Sequence, residues 1–453
     1  MPMRDRARWA FAVVFSMALL SAPAIWNRFP LLQYDTGGYL ARWYEPYLVP
    51  SRAVAYGLIL NAGAALSFWP VVLGQSALTA WVIALILRVH GLGGRPGLLA
   101  GIVATLSIFS TLPWLTAILL TDIFAGLAVL ALYLLLFRAD ELTRREQIGL
   151  VVLVAVSVAT HSATFAVLLM LLAGAVLVSF IAPDRLPRRR FGNGALAIAL
   201  GALLVFGANA AVTRQLTWTP GGFALSFGRM LQDGIVKKYL DEHCPKARLV
   251  LCAYKDELPR DADEWFWGSP LFDKLGRFAG LDHEMEQIAL ASVAEYPLLQ
   301  IKTAAIATAR QLIDVRTGEG VVNSIWHTYG IVERYRPGLV AEMRAARQQR
   351  GEIDFTMINR VHYPVALACL LLLPLIGGYM LRRPETREIG ELATVCLFAL
   401  LANAFICGTL SNPHDRYGAR LIWLAVAVTA IAAVRLYEER RRLRAAALAP
   451  SPP

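Results

Sequence analysis

Apolar runs near the ~20 residues needed to cross a bilayer recur along this chain. They are separated by short links rich in arginine and by one long polar interruption. The runs fall at about Trp9 to Phe29, Phe68 to Leu87, Pro96 to Pro113, Leu120 to Phe137, Phe191 to Val212, His362 to Met380, Ile389 to Leu410 and Gly418 to Val434. A further run, Ile148 to Ile181, lies between two basic clusters and is too long for one span. Equal sidedness at its ends demands an even number of crossings, so it reads as two helices turning near His161. The shorter apolar stretch Ala53 to Leu66 suits the interface or re-entry. The expected fold is all-α and polytopic, with about ten transmembrane helices.

Charge gives the sidedness. Arg4, Arg6 and Arg8, then Arg88 with Arg95, Arg138 with Arg144 and Arg145, and Arg185 with Arg188, Arg189 and Arg190 mark one face. Arg382, Arg383 and Arg387, and Arg435 with Arg440, Arg441 and Arg442, mark it again. By the positive-inside rule this face is cytoplasmic. The first run also has signal-peptide character, ending in Ser21-Ala22-Pro23-Ala24. Because apolar character resumes at Ile25 and Trp26, an uncleaved helix is expected.

Three regions follow: a transmembrane core over 1–212, an extracytoplasmic segment over 213–361, and a C-terminal transmembrane region with a basic tail over 362–453. The middle segment is expected to be mainly helical, with one long helix from Glu284 to Ile313 carrying Pro297. Its apolar positions Ile288, Leu290, Val293, Leu298, Ile301 and Ile306 suit a helix along the membrane interface. The tail from Ala445 to Pro453 is expected to be disordered.

Composition excludes a soluble enzyme: 57% of residues are hydrophobic and the mean hydropathy is +0.51. The net charge of +11 comes wholly from outside the middle segment, which holds nineteen basic and nineteen acidic residues and all the lysines. The excess is therefore topogenic, and no nucleic-acid partner is expected. Cys369, Cys396 and Cys407 lie in apolar runs as packing residues. Cys244 and Cys252 lie in the middle segment, where an oxidising compartment would join them as a disulfide; no metal site is assigned.

Candidate chemistry gathers at the expected outer face. Asp35 follows the first span in Tyr34-Asp35-Thr36-Gly37-Gly38-Tyr39, and Asp122 opens the fourth in Leu120-Thr121-Asp122-Ile123. Ionisable groups at membrane depth are costly and default to function. Glu45, Asp415, Arg28, Arg42, Arg52, Arg416 and Arg420 share that face. Carboxylates offer a base or a cation ligand, and the planar guanidinium fork suits a phosphate. Each has a plainer reading: Asp35 as a turn residue, Asp122 as a helix cap, Arg416 and Arg420 as snorkelling side chains, His161 as a polar turn residue. Trp265, Phe266 and Trp267 fit either sugar stacking or burial.

The early acid, the second acid in Thr121-Asp122-Ile123-Phe124-Ala125-Gly126-Leu127, and His414-Asp415-Arg416-Tyr417 entering a late span together resemble the GT-C superfamily. These are polyprenyl-phosphate-sugar-dependent membrane glycosyltransferases. The resemblance covers the first four spans and the last loop. It implies Asp35 as catalytic base or metal-associated residue, Asp122 as a supporting acid, and a substrate site including Arg416, Arg420, His161 and Tyr417. It also implies a polyprenyl-phosphate-sugar donor, a glycan, lipid or protein acceptor, and a periplasmic site on the cytoplasmic membrane. No cofactor is fixed, and a divalent cation is left open. This chain departs from relatives with adjacent acids in the first loop, since Thr36 follows Asp35. A transporter or flippase using the same acids, and a polysaccharide polymerase or ligase, are the alternatives.

Overall fold

The computed structural model describes residues 3–181, 190–244 and 246–447; Arg185, Arg188 and Arg189 of the fourth basic cluster lie outside them, as does the tail beyond 447. The described chain is all-α and polytopic. The first region contains α1 (Met3–Asn27), α2 (Thr36–Ala41), α3 (Val54–Gly63), α4 (Trp69–Leu87), α5 (Pro96–Phe109), α6 (Leu112–Ala117), α7 (Asp122–Phe137), α8 (Arg144–Thr160), α9 (Ser162–Ile181) and α10 (Phe191–Thr213). The middle segment adds α11 (Ala224–Gln232), α12 (Ile235–His243), α13 (Pro270–Lys274), α14 (Arg277–Glu295), α15 (Pro297–Ile313), α16 (Trp326–Tyr335) and α17 (Val340–Ala345). The chain ends with α18 (Thr356–Met380), which starts ahead of the expected boundary at 362, α19 (Arg387–Leu410) and α20 (Asp415–Ala447).

Seven of these helices, α1, α4, α9, α10, α18, α19 and α20, are long and apolar enough to cross a membrane. The runs expected as spans three to five are shorter, at 14, 16 and 17 residues in α5, α7 and α8. At 1.5 Å per residue, α5 reaches about 21 Å, less than a hydrocarbon core. It stops because Ser110 is extended and Pro113 has no N–H to bond back to Phe109. The run expected as one span to Pro113 is thus two helices.

The break at His161 is present: His161 takes an extended conformation between α8 and α9. The expected single helix from Glu284 to Ile313 is not formed. Tyr296 leaves helical geometry at φ −122°, ψ 49°, and Pro297 starts a new helix, as a proline favours at the first helical turn. Its second half, α15, packs alongside α19, with Ala307 against Gly408. Leu298, Ile301 and Ile306 face outward. The tail enters α20 as far as Ala447, because the basic run ahead of it continues the helix.

Ion pairs gather the basic links at one end of the bundle. Arg88 meets Glu146 at 2.6 Å, Arg138 meets Glu391 at 2.6 Å and Arg383 meets Glu439 at 3.3 Å. Arg95 pairs with Glu438, and Arg190 with Asp140. The turn at His161 lies at the other end, beside Arg420 at the start of α20.

The middle segment has two parts. Residues of α11, α12, α13 and α14 enclose their own core, with Trp265, Phe266 and Phe272 inside it. Burial therefore accounts for Trp265 and Phe266, whereas Trp267 is exposed. From Val315 onward the chain joins the main core, through Val321, Ile325, Tyr329 and Met343. Cys244 and Cys252, at the rim of the smaller core, are joined as a disulfide with Cα atoms 5.3 Å apart.

Candidate functional site

The stretch after α1 is held in place before any charge is considered. Leu31 forms an isolated parallel bridge with Ile118: its N–H donates to Ala117 O at 3.0 Å, and its carbonyl accepts from Leu119 N at 2.9 Å. The Thr36 hydroxyl donates to Leu119 O at 3.0 Å. These bonds set the Asp35 turn beside the entry to α7, where Asp122 lies.

Two glutamines and a threonine lock the turn. Asp35 N–H donates to Gln33 Oε1 at 2.7 Å, and the Asp35 carboxylate makes no cap bond to α2. Gln348, just after α17, both accepts from Leu32 N–H and donates to Leu32 O. Thr328 on α16 accepts from Gly37 N–H at 3.0 Å and donates to Gln33 O. A Cβ on Gly37 would lie 2.5 Å from the Thr328 Cα, so only glycine lets α16 approach α2 this closely. The second part of the middle segment thus forms one wall of the site.

Arg416, in the first turn of α20, joins the two acids. Its Nε donates to Asp122 Oδ2 at 2.7 Å and its Nη1 donates to Asp35 Oδ2 at 2.5 Å. Arg52 pairs with the other oxygen of Asp35. Asp122 is 2% exposed, so Arg416 is its buried counter-ion. Burial alone would raise the Asp35 carboxyl, but Arg52 and Arg416 outweigh it and hold it below its ordinary value. Asp35 is therefore ionised at neutral pH.

Arg420, one turn on, is fully buried. It donates twice to Asn403 Oδ1, at 3.0 and 2.6 Å, and approaches His161 Nδ1 at 3.4 Å. Burial, with Arg420 and Arg416 nearby, holds the His161 imidazole neutral. The Tyr417 ring lies 5.9 and 5.7 Å from the guanidiniums of Arg416 and Arg420, and its carbonyl accepts from Asn403 at 2.8 Å. Asp35, Asp122, His161, Arg416, Tyr417 and Arg420 are thereby brought to one place from four stretches of sequence.

His414 anchors the neighbouring wall. Its Nδ1 bonds Glu319 at 2.8 Å and its Nε2 faces Asp263 at 3.3 Å, while Glu319 also accepts from Arg416 N–H at 2.6 Å. Burial works against a charge on His414, but the bonds to Asp263 and Glu319 prevail and push it up to about 10.

Arg52 is the residue that sequence reasoning placed at this face but did not assign to the site. It lies between Asp35 and a small cleft. The cleft runs past Val49, His161, Ser162, Asn209 and Trp218. No carboxylate lines it among the described residues. The missing signal was tertiary, since nothing in Pro50-Ser51-Arg52 marks a partner seventeen positions earlier. The Arg416 guanidinium stands between the two acids, and no group of three or more His, Cys, Asp or Glu that could hold a metal ion is found among the described residues.

No protein-family model matches the chain, and no curated protein does. Among solved structures it is similar to an archaeal oligosaccharyltransferase, AglB from Archaeoglobus fulgidus, in complex with an inhibitory peptide and a dolichol-phosphate. The identity is 13% and the TM-score 0.40. The match takes in all of this chain and 52% of the other, so the chain spans about half that protein's length.

Proposed function

We propose that this chain is a membrane glycosyltransferase of the GT-C type. It moves a sugar from a polyprenyl-phosphate donor to an acceptor on the extracytoplasmic side of the cytoplasmic membrane, the acceptor being a glycan, lipid or protein. The observation that carries the reading is the Asp35–Arg416–Asp122 chain at the end of a polytopic bundle, away from the basic links.

In this reading the acceptor hydroxyl attacks the sugar's anomeric carbon, the bond from that carbon to the phosphate oxygen breaks, and Asp35 takes the hydroxyl proton. Asp35 is ionised, the form that can accept a proton. Arg416 orients Asp35 and is the counter-ion of the buried Asp122, which supports the pair from behind. Arg416 and Arg420 are candidates to clamp the phosphate, Arg416 from between the two acids and Arg420 from beside Asn403. Arg52, paired with Asp35 and beside the cleft, is a further cation for the departing phosphate.

The test is transfer by the purified full chain from a panel of polyprenyl-phosphate sugars. Asp35→Asn should lower transfer by roughly 10²–10⁴-fold, the usual range for loss of a general base. Near-normal transfer by a well-folded Asn variant would reject Asp35 as the base. Cells lacking the protein that accumulate an unflipped lipid-linked precursor, with no sugar missing from the envelope, would indicate translocation instead.

A further inference from the structure

The cleft and the Asp35 carboxylate are joined by one side chain. Arg52 pairs with Asp35 through Nη2, and its Nη1 points back toward the Ser51 carbonyl at 3.4 Å, a weak bond. The Arg52 side chain is 17% exposed, where the Arg42 side chain, paired nearby with Glu45, is 3% exposed. Its backbone sits on a turn in which Ser51 adopts φ 62°, a left-handed conformation uncommon for a residue with a side chain. The turn is tied to the middle segment by one long bond, Ser51 N–H to Thr219 Oγ1 at 3.3 Å. Arg416, in contrast, is held by both acids and Arg420 by Asn403.

The cleft beyond Arg52 has a cation at one side, hydroxyl and amide groups from Ser162 and Asn209, and apolar positions such as Val49, Val158 and Val205. With no acid in its lining among the described residues, it suits an anion. A guanidinium shared between a carboxylate and an incoming phosphodiester can turn its fork of two N–H bonds onto two phosphate oxygens.

We propose that Arg52 is an exchange residue: a phosphate entering the cleft draws its guanidinium from Asp35, and this handover unmasks the carboxylate. The idea rests on the glycosyltransferase reading for its purpose, but the handover itself concerns binding alone. Arg52 is a positioning residue for Asp35 and a direct ligand of the anion. The consequence is order. With the cleft empty, Asp35 is held by two guanidiniums and is a poor base; with phosphate bound, one of them is gone. A donor thus prepares the base that its own transfer requires, and water meets a masked carboxylate.

The experiment measures binding of farnesyl phosphate and, separately, inorganic phosphate to the purified full chain by calorimetry. Asp35→Asn removes the competitor for Arg52, so both probes should bind about 10-fold tighter than to the unmodified protein. Arg52→Gln should weaken both by 10-fold or more, Arg52→Lys should recover part, and the double variant should match Arg52→Gln. Stronger binding of farnesyl phosphate than of inorganic phosphate would assign the cleft to a lipid headgroup; equal binding would assign it to a free phosphate. Loss of the Asp35 charge alone favours an anion, so the double variant decides: unchanged or weaker affinity in Asp35→Asn, or a double variant that binds tighter than Arg52→Gln, overturns the handover. Should the handover be observed while no sugar phosphate supports transfer, the functional reading fails and the exchange stands.

Discussion

Arg416 is the residue on which the site turns, because one guanidinium satisfies two carboxylates that would otherwise repel each other. Asp122 is buried and cannot be left without a partner at small cost. Arg416→Gln should therefore lower stability by about 3–5 kcal/mol, the range for breaking a buried pair. The thermal midpoint in detergent reads this, and adding Asp122→Asn should restore much of it while transfer stays low. Arg416→Lys should fold better than Gln yet transfer poorly, since a point charge does not span both acids in fork geometry. An Arg416→Gln protein of unchanged thermal midpoint would show that Asp122 is not held as described. The sequence showed both acids and the arginine, but not that they are mutual partners.

At the scale of elements, the wall over the site is fastened by His414 between Asp263 and Glu319, which joins the loop before α20 to both parts of the middle segment. The His414 value is raised, so its contribution to stability is complete below the unfolded value near 6.5. It falls as pH rises and is lost through about 10. The thermal midpoint should drop between pH 7 and pH 10 in the unmodified protein, and drop less in His414→Gln. Equal slopes in the two proteins would remove His414 as the fastening. A second element-level fit is α7 on α20, where a Cβ on Gly126 would sit 2.7 Å from the Trp423 ring. That glycine stands four positions after Asp122 and lets α20 bring Arg416 within reach of it.

For the whole molecule, ion pairs collect Arg88, Arg95, Arg138, Arg190 and Arg383 at one end, the end that the positive-inside rule would put in the cytoplasm. Single cysteines at the exposed positions Leu216 and Trp326 should react with a membrane-impermeant thiol reagent from outside the cell, and one at the exposed Pro384 should not. The native Cys369, Cys396 and Cys407 are buried and should stay silent. Reaction at Pro384 in intact cells, with Leu216 protected, would invert the molecule and move the site to the cytoplasm.

Sequence alone determined the class, the runs that become helices, and the break at His161, because bilayer length and arginine placement are local properties that no tertiary contact has to supply. It also placed Asp35, Asp122, His161, Arg416 and Arg420 on a common face, since sidedness follows from counting crossings. It did not show the split at Tyr296, where the restriction imposed by Pro297 outweighs a continuous apolar pattern. Nor did it show which charges pair. That depended on the Leu31–Ile118 bridge, the Thr328 and Gln348 bonds to the Asp35 turn, and the close approaches at Gly37 and Gly126. Pairing requires fixing two groups in space to within a hydrogen bond, and positions nearly three hundred residues apart acquire that precision only from the packed fold.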